Sequence, residues 1–249
     1  MQALATYSVK GGVGKTTTAV NLAFEAGRTG VRVLVWDLDP QGAATFLLRA
    51  RPKLRGGSRK LVGRKGALEP HIRSTDLDGV HVVPADLSLR HLDLHLQRAQ
   101  HPSRALRDLL APVHDRYDLV MLDCPPSISL ASESVIATVD GLLVPVVPAP
   151  LASRTLAQVA RLLRDQSDPP SLLPILSMVE RRRKVHRELV EELTAAWPQL
   201  LPTSVPSAAV VERMGIDRSP VGAIAPRSEV ALAYRTLWTD VAHTLWPAG

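Results

Sequence analysis

The chain has 249 residues, 45 % of them hydrophobic, which suits one large α/β domain with a substantial core. A single cysteine, Cys124, excludes a disulfide framework and a cysteine-rich metal or cluster site. The net charge of +6 is uneven, with seven lysines and arginines and no acid in residues 51–65, and five against Glu180 alone in residues 180–187. Such patches suggest a polyanion, nucleic acid first, with a solvated loop as the alternative reading of either one. No signal peptide is visible and the apolar stretches are short and broken by proline, so a cytoplasmic protein is expected.

In chain order, residues 2–9 contain the apolar run Ala3-Leu4-Ala5, suited to a buried strand. Residues 10–17 read Lys-Gly-Gly-Val-Gly-Lys-Thr-Thr, and 16–28 form a helical pattern with Ala19, Leu22, Ala23 and Ala26 on one side. Strand, glycine turn and helix are the setting of a nucleotide phosphate cradle. Backbone N–H groups of Gly11, Gly12, Val13 and Gly14 would face phosphate oxygens. Lys15 would reach the β- and γ-phosphates, and Thr16, followed by Thr17, would offer its hydroxyl to Mg²⁺. Val9 stands where the general pattern has its first glycine, and a second lysine, Lys10, opens the loop.

A strand over 31–37 runs into Asp37-Leu38-Asp39-Pro40-Gln41-Gly42. Alternation aims Asp37 and Asp39 the same way, so either carboxylate would orient an attacking water; capping of the next helix is the alternative for both. Residues 51–66, with four glycines among the basic residues, read as a flexible insertion within a single domain, 1–249. Further strands are expected at 80–84, 117–123, 141–147 and 172–178, and helices at 103–111, 129–138, 153–166 and 185–196. The 117–123 run ends on Asp123, a carboxylate placed to hold Mg²⁺ through a coordinated water. Pro145 is expected to bend its strand or end it early. Strands alternating with helices predict a P-loop NTPase-like α/β fold, a mainly parallel sheet with helices on both faces. Its ligand site would lie at the strands' carboxyl ends, where the glycine loop, Asp37/Asp39 and Asp123 converge. Val230, Tyr234, Leu237, Val241 and Leu245 predict a C-terminal amphipathic helix. The charges over 227–246 cancel, which favours packing on the sheet over lying on lipid, with Trp238 and Trp246 as core and rim residues.

Residues 10–17, 37–42 and 118–126, in that order, resemble the ParA/MinD family of deviant Walker A ATPases, and the resemblance spans nearly the whole chain, with no N-terminal helix-turn-helix. It implies a Mg²⁺-dependent ATPase that forms a homodimer in the ATP state, with Lys10 touching the nucleotide of the other subunit. Asp39 would position the water, Asp37 would support the metal site, and Met178 and Pro206 would contact adenine, unless both are core or turn residues. Arg187, with Arg181, Arg182 and Arg183, would hold non-specific duplex DNA from outside the strand-end crevice. Relatives often carry V-P-R where this chain has Val205-Pro206-Ser207, so these arginines or the 51–65 segment would have to compensate. Few aromatics lie near the patches, which disfavours a base-stacking mode. The implied role is partition or positioning of a cargo on the nucleoid, with hydrolysis stimulated by a ParB-like or other adaptor. A MinD-like membrane-associated positioning ATPase is the alternative. Cys124 alone argues against relatives that share an iron–sulfur cluster.

Overall fold

Aliphatic runs that bury both faces force most strands of this chain into the middle of one sheet. The computed structural model describes residues 1–63 and 66–246; Arg64 and Lys65 of the basic segment lie outside the described residues. In chain order the elements are β1 (Gln2–Thr6), α1 (Lys15–Arg28), β2 (Val33–Asp37), α2 (Ala43–Leu47), α3 (Gly57–Leu61), β3 (Arg73–Ser74), β4 (Val80–Val83), α4 (Leu92–Leu96), α5 (Ala105–Leu110), β5 (Leu119–Asp123) and α6 (Leu130–Ile136). They continue with β6 (Gly141–Val146), α7 (Ala152–Arg164), β7 (Ser171–Val179), α8 (Lys184–Ala196), β8 (Ser204–Pro206), α9 (Val210–Asp217), α10 (Val221–Ile224) and α11 (Glu229–Leu245). The sheet order is β3-β4-β2-β5-β1-β6-β7-β8, parallel except for the antiparallel β3–β4 pair.

Strand alternation divides the core between the two faces. Leu34, Trp36, Val120 and Leu122 belong to one cluster, and Val33, Val35, Leu119 and Met121 to the other. The second cluster takes in Ala19, Leu22, Ala23 and Ala26 of α1, all fully buried, together with Val230, Tyr234, Leu237, Trp238 and Val241 of α11. Helix α11 packs on α1 and beside β8, with Trp238 buried and Trp246 39 % exposed at the rim. Pro145 does not end its strand. The β1 side of the β6 ladder stops at Leu143, while the β7 side continues to Val146, so the residue without an N–H lies past one ladder and within the other.

The segment expected as a flexible basic insertion departs from that reading within 54–62. Leu54, Ser58, Leu61 and Val62 are buried, and Leu61 is fully so. The Leu54 N–H donates to Asp86 (2.8 Å), the Arg55 N–H to His71 Nδ1 (3.2 Å) and the Ser58 N–H to Ser88 Oγ (2.7 Å). Arg51, Lys53, Arg55, Arg59 and Lys60 remain exposed, so the segment around α3 turns its apolar side chains to the core and its charges to water. Elements of two to eight residues (α2, α3, α4, β3, β8, α9, α10) escape sequence periodicity because they offer too few turns or alternations to count. If 54–62 is packed as described, Leu61→Ala should lower unfolding free energy by about 2–5 kcal/mol. A urea midpoint unchanged from the parent chain would return the segment to a solvated loop.

Candidate nucleotide site

Register fixes the floor of the site. Thr6 of β1 and Asp37 of β2 both lie level with Asp123 of β5, so three polar side chains meet at the carboxyl ends of adjacent, otherwise aliphatic strands. Asp123 is fully buried. Its Oδ1 accepts from the Thr6 hydroxyl (3.2 Å), whereas its Oδ2 has no partner among the described residues. Burial raises its carboxyl pKa well above the ordinary range, Asp37 adds to the rise, and the Thr16 and Thr6 hydroxyls and Lys15 oppose it. A buried carboxylate oxygen without a partner is costly, and a hard divalent cation beside the Thr16 hydroxyl would compensate it; these oxygen donors fit Mg²⁺.

The glycine loop follows β1 directly. Gly12 (φ +71°) and Gly14 (φ +92°) take left-handed backbone that L side chains avoid. Gly14 caps α1 with no side chain on the helix N–H groups, and the first turn holds no acid, so those donors stay available to an anion. A Cβ on Gly14 would stand 2.9 Å from Ser177 Oγ, so β7 presses directly on the cradle. Val13 is buried and anchors the loop, while Lys10, Gly11 and Gly12 are exposed at its tip. The Lys10 N–H donates to Ser8 Oγ (3.2 Å), and Lys15 Nζ reaches the Lys10 carbonyl (3.5 Å). Lys15 is 7 % exposed, and desolvation lowers its pKa against the pull of Asp123, Cys124 and Asp39. An ammonium group held this way lacks a close counter-charge, which phosphate oxygens would supply.

The two aspartates after β2 separate in role. Asp37 Oδ2 accepts both the N–H and the hydroxyl of Thr45 (2.7 Å each), and Oδ1 accepts the Asp39 N–H (3.1 Å). It therefore anchors the first turn of α2. It sits beside Asp123, as expected of a supporting residue, but both its oxygens are already engaged. Asp39 is half-buried and accepts only a loop donor, the Gln41 N–H (2.9 Å), through Oδ1. The helix-anchoring alternative thus applies to Asp37. Burial raises the Asp37 pKa, with the Thr45 bonds opposing. Cys124 is buried, as the sequence suggested, and burial pushes its thiol pKa up.

Met178 is brought against the cradle. Its φ is +55°, and its Cε lies 3.7 Å from where a Gly14 Cβ would stand. Pro206 is buried beside it through the Val179–Pro206 pairing of β7 and β8. The residues missed by sequence reasoning are the polar supports: Thr6 on Asp123, Thr45 on Asp37, and Ser177 under Gly14. A lone hydroxyl at the end of an aliphatic strand is the one signal that would have marked Thr6.

The 181–187 arginines lie on the connection from β7 to α8 and in the first turn of α8. They emerge from the carboxyl end of β7, on the same sheet edge as Met178. Three bases in this segment are paired: Arg181 with Glu229 (3.4 Å), Arg183 with Glu180 (3.1 Å) and Lys184 with Glu188 (3.6 Å). Arg182 and Arg187 are exposed and have no carboxylate partner among the described residues.

Comparison with known proteins bears on the same region. A family model described as an AAA domain matches residues 1–169, the part that carries the cradle, Asp37/Asp39 and Asp123. The chain is 31 % identical over 190 residues to the chromosome partitioning protein ParA of Myxococcus xanthus, covering 74 % of this chain and 67 % of that one. It is 43 % identical over 146 residues to the chromosome-partitioning ATPase Soj of Thermus thermophilus, covering 57 % and 53 %. Among solved structures it superposes, with a TM-score of 0.82 and 25 % identity, on cobyrinic acid a,c-diamide synthase from Mycobacterium smegmatis with a bound ATP analog and magnesium, covering 100 % and 97 %.

The close approach of β7 to the loop makes Gly14 the most demanding position of the cradle. Gly14→Ala should cost roughly 1–3 kcal/mol of backbone strain and displace Ser177. Fluorescent ATP-analogue titration should show affinity reduced at least about tenfold. Parental affinity would mean that the left-handed turn is not needed for binding.

Proposed function

The chain belongs to the ParA/MinD family of P-loop ATPases, a partitioning or positioning ATPase in kind, and we propose that two copies close around MgATP, hold nucleoid DNA without sequence preference, and position a cargo. Release follows hydrolysis stimulated by a ParB-like or other adaptor protein. The observation that carries this reading is the convergence of a buried Lys15, the free donors of α1 and the unpartnered Asp123 oxygen at one strand-end crevice.

Phosphoryl transfer to water needs positioning and charge neutralisation more than covalent chemistry. The loop N–H groups and Lys15 bind the phosphates, and Thr16 and Asp123 are the residues that would hold magnesium. A magnesium ion held by them would supply positive charge against the negative charge of the phosphates. Asp39, free of a helix-anchoring duty, orients the attacking water. Lys10 enters the site of the second copy, a role supported by its exposure at the loop tip. A membrane-bound version of the reading fits less well, because the apolar side of α11 is already buried against α1 and β8. No helix among the described residues is long and apolar enough to cross a membrane.

ATPase assays with light scattering test the site residue by residue. Lys15→Ala should abolish ATP binding. Lys10→Ala should keep binding yet lose the ATP-dependent dimer, and Asp39→Ala should keep a long-lived dimer with turnover reduced at least about a hundredfold. A parental dimer with Lys10→Ala would remove the cross-subunit role, and parental turnover with Asp39→Ala would move the water to another carboxylate.

For DNA, the ion pairs rank the arginines. Arg182→Ala with Arg187→Ala should weaken binding to every duplex alike, and should do so more than Arg181→Ala with Arg183→Ala. The salt slope should fall by up to about 0.9 for each phosphate no longer neutralised. Failure of the intact chain to bind duplex DNA with ATP at low salt would end the nucleoid reading.

A further inference from the structure

A cleft of about 430 Å³ opens between α3 and the segment that follows α4. Arg59 reaches it from α3, His95 from α4, and Arg98 and His101 from the turn beyond; Asp108 is the one carboxylate among its described lining residues. Neither Arg59 nor Arg98 is in a salt bridge among the described residues. Helix α3 packs on the 3₁₀ turn Leu87–His91 that follows β4, which places the cleft near the β4 side of the sheet. β4 and β7 are five strand spacings apart, or about 24 Å, so the cleft is separate from the 181–187 arginines.

The interior of the cleft is organised as well as charged. Ser58 is fully buried, and its hydroxyl donates to the Ser88 carbonyl (2.6 Å), which uses its single hydrogen. The 3.0 Å contact between Ser58 Oγ and His95 Nδ1 must then be donated by His95. Neutral His95 therefore carries its proton on Nδ1 and keeps Nε2 for a ligand; protonated, it offers a second N–H there. Burial and the positive charges of Arg98, His91 and Arg59 hold the His95 pKa below its ordinary value. Two guanidinium groups and two imidazoles converging on one cleft with a single described carboxylate make a surface suited to an anion.

We propose that this cleft is a second phosphate-binding site, independent of the glycine loop, in which Arg59, His95, Arg98 and His101 take the phosphate groups of a polyanion. Planar guanidinium groups suit phosphate oxygens bidentately, and the imidazoles add donors between them. The ligand is either the backbone of duplex DNA or a free oligophosphate compound, since both present the same oxygens. In the first case the chain grips DNA at two places on one subunit. In the second it senses a small phosphorylated molecule apart from the ATP it hydrolyses.

The test uses the full chain carrying Lys15→Ala, so that the glycine loop no longer competes for the probe. Tripolyphosphate at low salt should move the NMR titration midpoint of His95 to higher pH, because a bound anion favours the imidazolium. Adding Arg59→Gln, Arg98→Gln and His101→Gln should weaken that response at least about tenfold. All three side chains are exposed, so the unfolding midpoint should not move. Duplex binding by the same triple variant, with Lys15 intact, separates the sources. Weaker binding, with a salt slope reduced by up to about 0.9 for each phosphate set free, assigns the cleft to DNA. Unchanged duplex affinity with the tripolyphosphate response abolished assigns it to a free phosphate compound. If tripolyphosphate leaves the His95 midpoint unmoved and the triple variant binds duplex normally, the proposal is overturned.

Discussion

The level alignment of Thr6, Asp37 and Asp123 across three parallel strands is the constraint on which the rest of the site depends. Parallel register is set by the aliphatic runs behind these residues, because a one-residue slip would turn each strand's core residues to the wrong face. The carboxylates thus reach a buried, low-dielectric place through apolar packing, with only partial hydrogen bonding to offset it. Asp37 is satisfied by Thr45 and by the Asp39 N–H; Asp123 is left with one oxygen unmet. That asymmetry leaves the first committed to the fold and the second with an oxygen still open to a ligand, although both began as aspartates at strand ends.

The glycine loop depends on the same sheet. Its left-handed residues are held between β1, which launches it, and β7, whose Ser177 and Met178 close over Gly14. Lys15 is therefore desolvated before any nucleotide arrives. Lys15 is buried near the buried Asp123 without a salt bridge to any carboxylate among the described residues, an arrangement that the phosphates and magnesium of MgATP are suited to complete. The loop tip stays exposed because it has no sheet partner. The one lysine of the loop outside the buried set, Lys10, is thereby the one accessible to another subunit.

Two groups of basic residues lie in different regions around this centre. One group leaves the carboxyl end of β7 and is partly neutralised by Glu180, Glu188 and Glu229. The other lies on α3, α4 and the turn beyond, where Asp108 is the cleft's single described acid. In a linear sequence the groups look alike. Folded, they differ in how much charge remains uncompensated and in whether they form a concave surface.

The sequence by itself determined the α/β architecture, the nucleotide loop and the two acidic strand ends. These rest on local rules: alternating apolar runs, glycines where backbone must turn left-handed, and carboxylates where a strand stops. The same rules correctly turned the C-terminal helix inward, since its apolar stripe came without the cationic face that lipid demands. Only the tertiary structure decided which aspartate is committed and which is free, because that turns on Thr45, eight residues beyond Asp37 and bonded to it through space. It also decided that residues 54–62 pack, since Leu54, Leu61 and Val62 are too few to form a periodic signal and reveal themselves only by meeting the core. The His95 cleft has the same origin. Its members span residues 59 to 101, and nothing in their spacing brings them together until α3 folds back on the turn after β4.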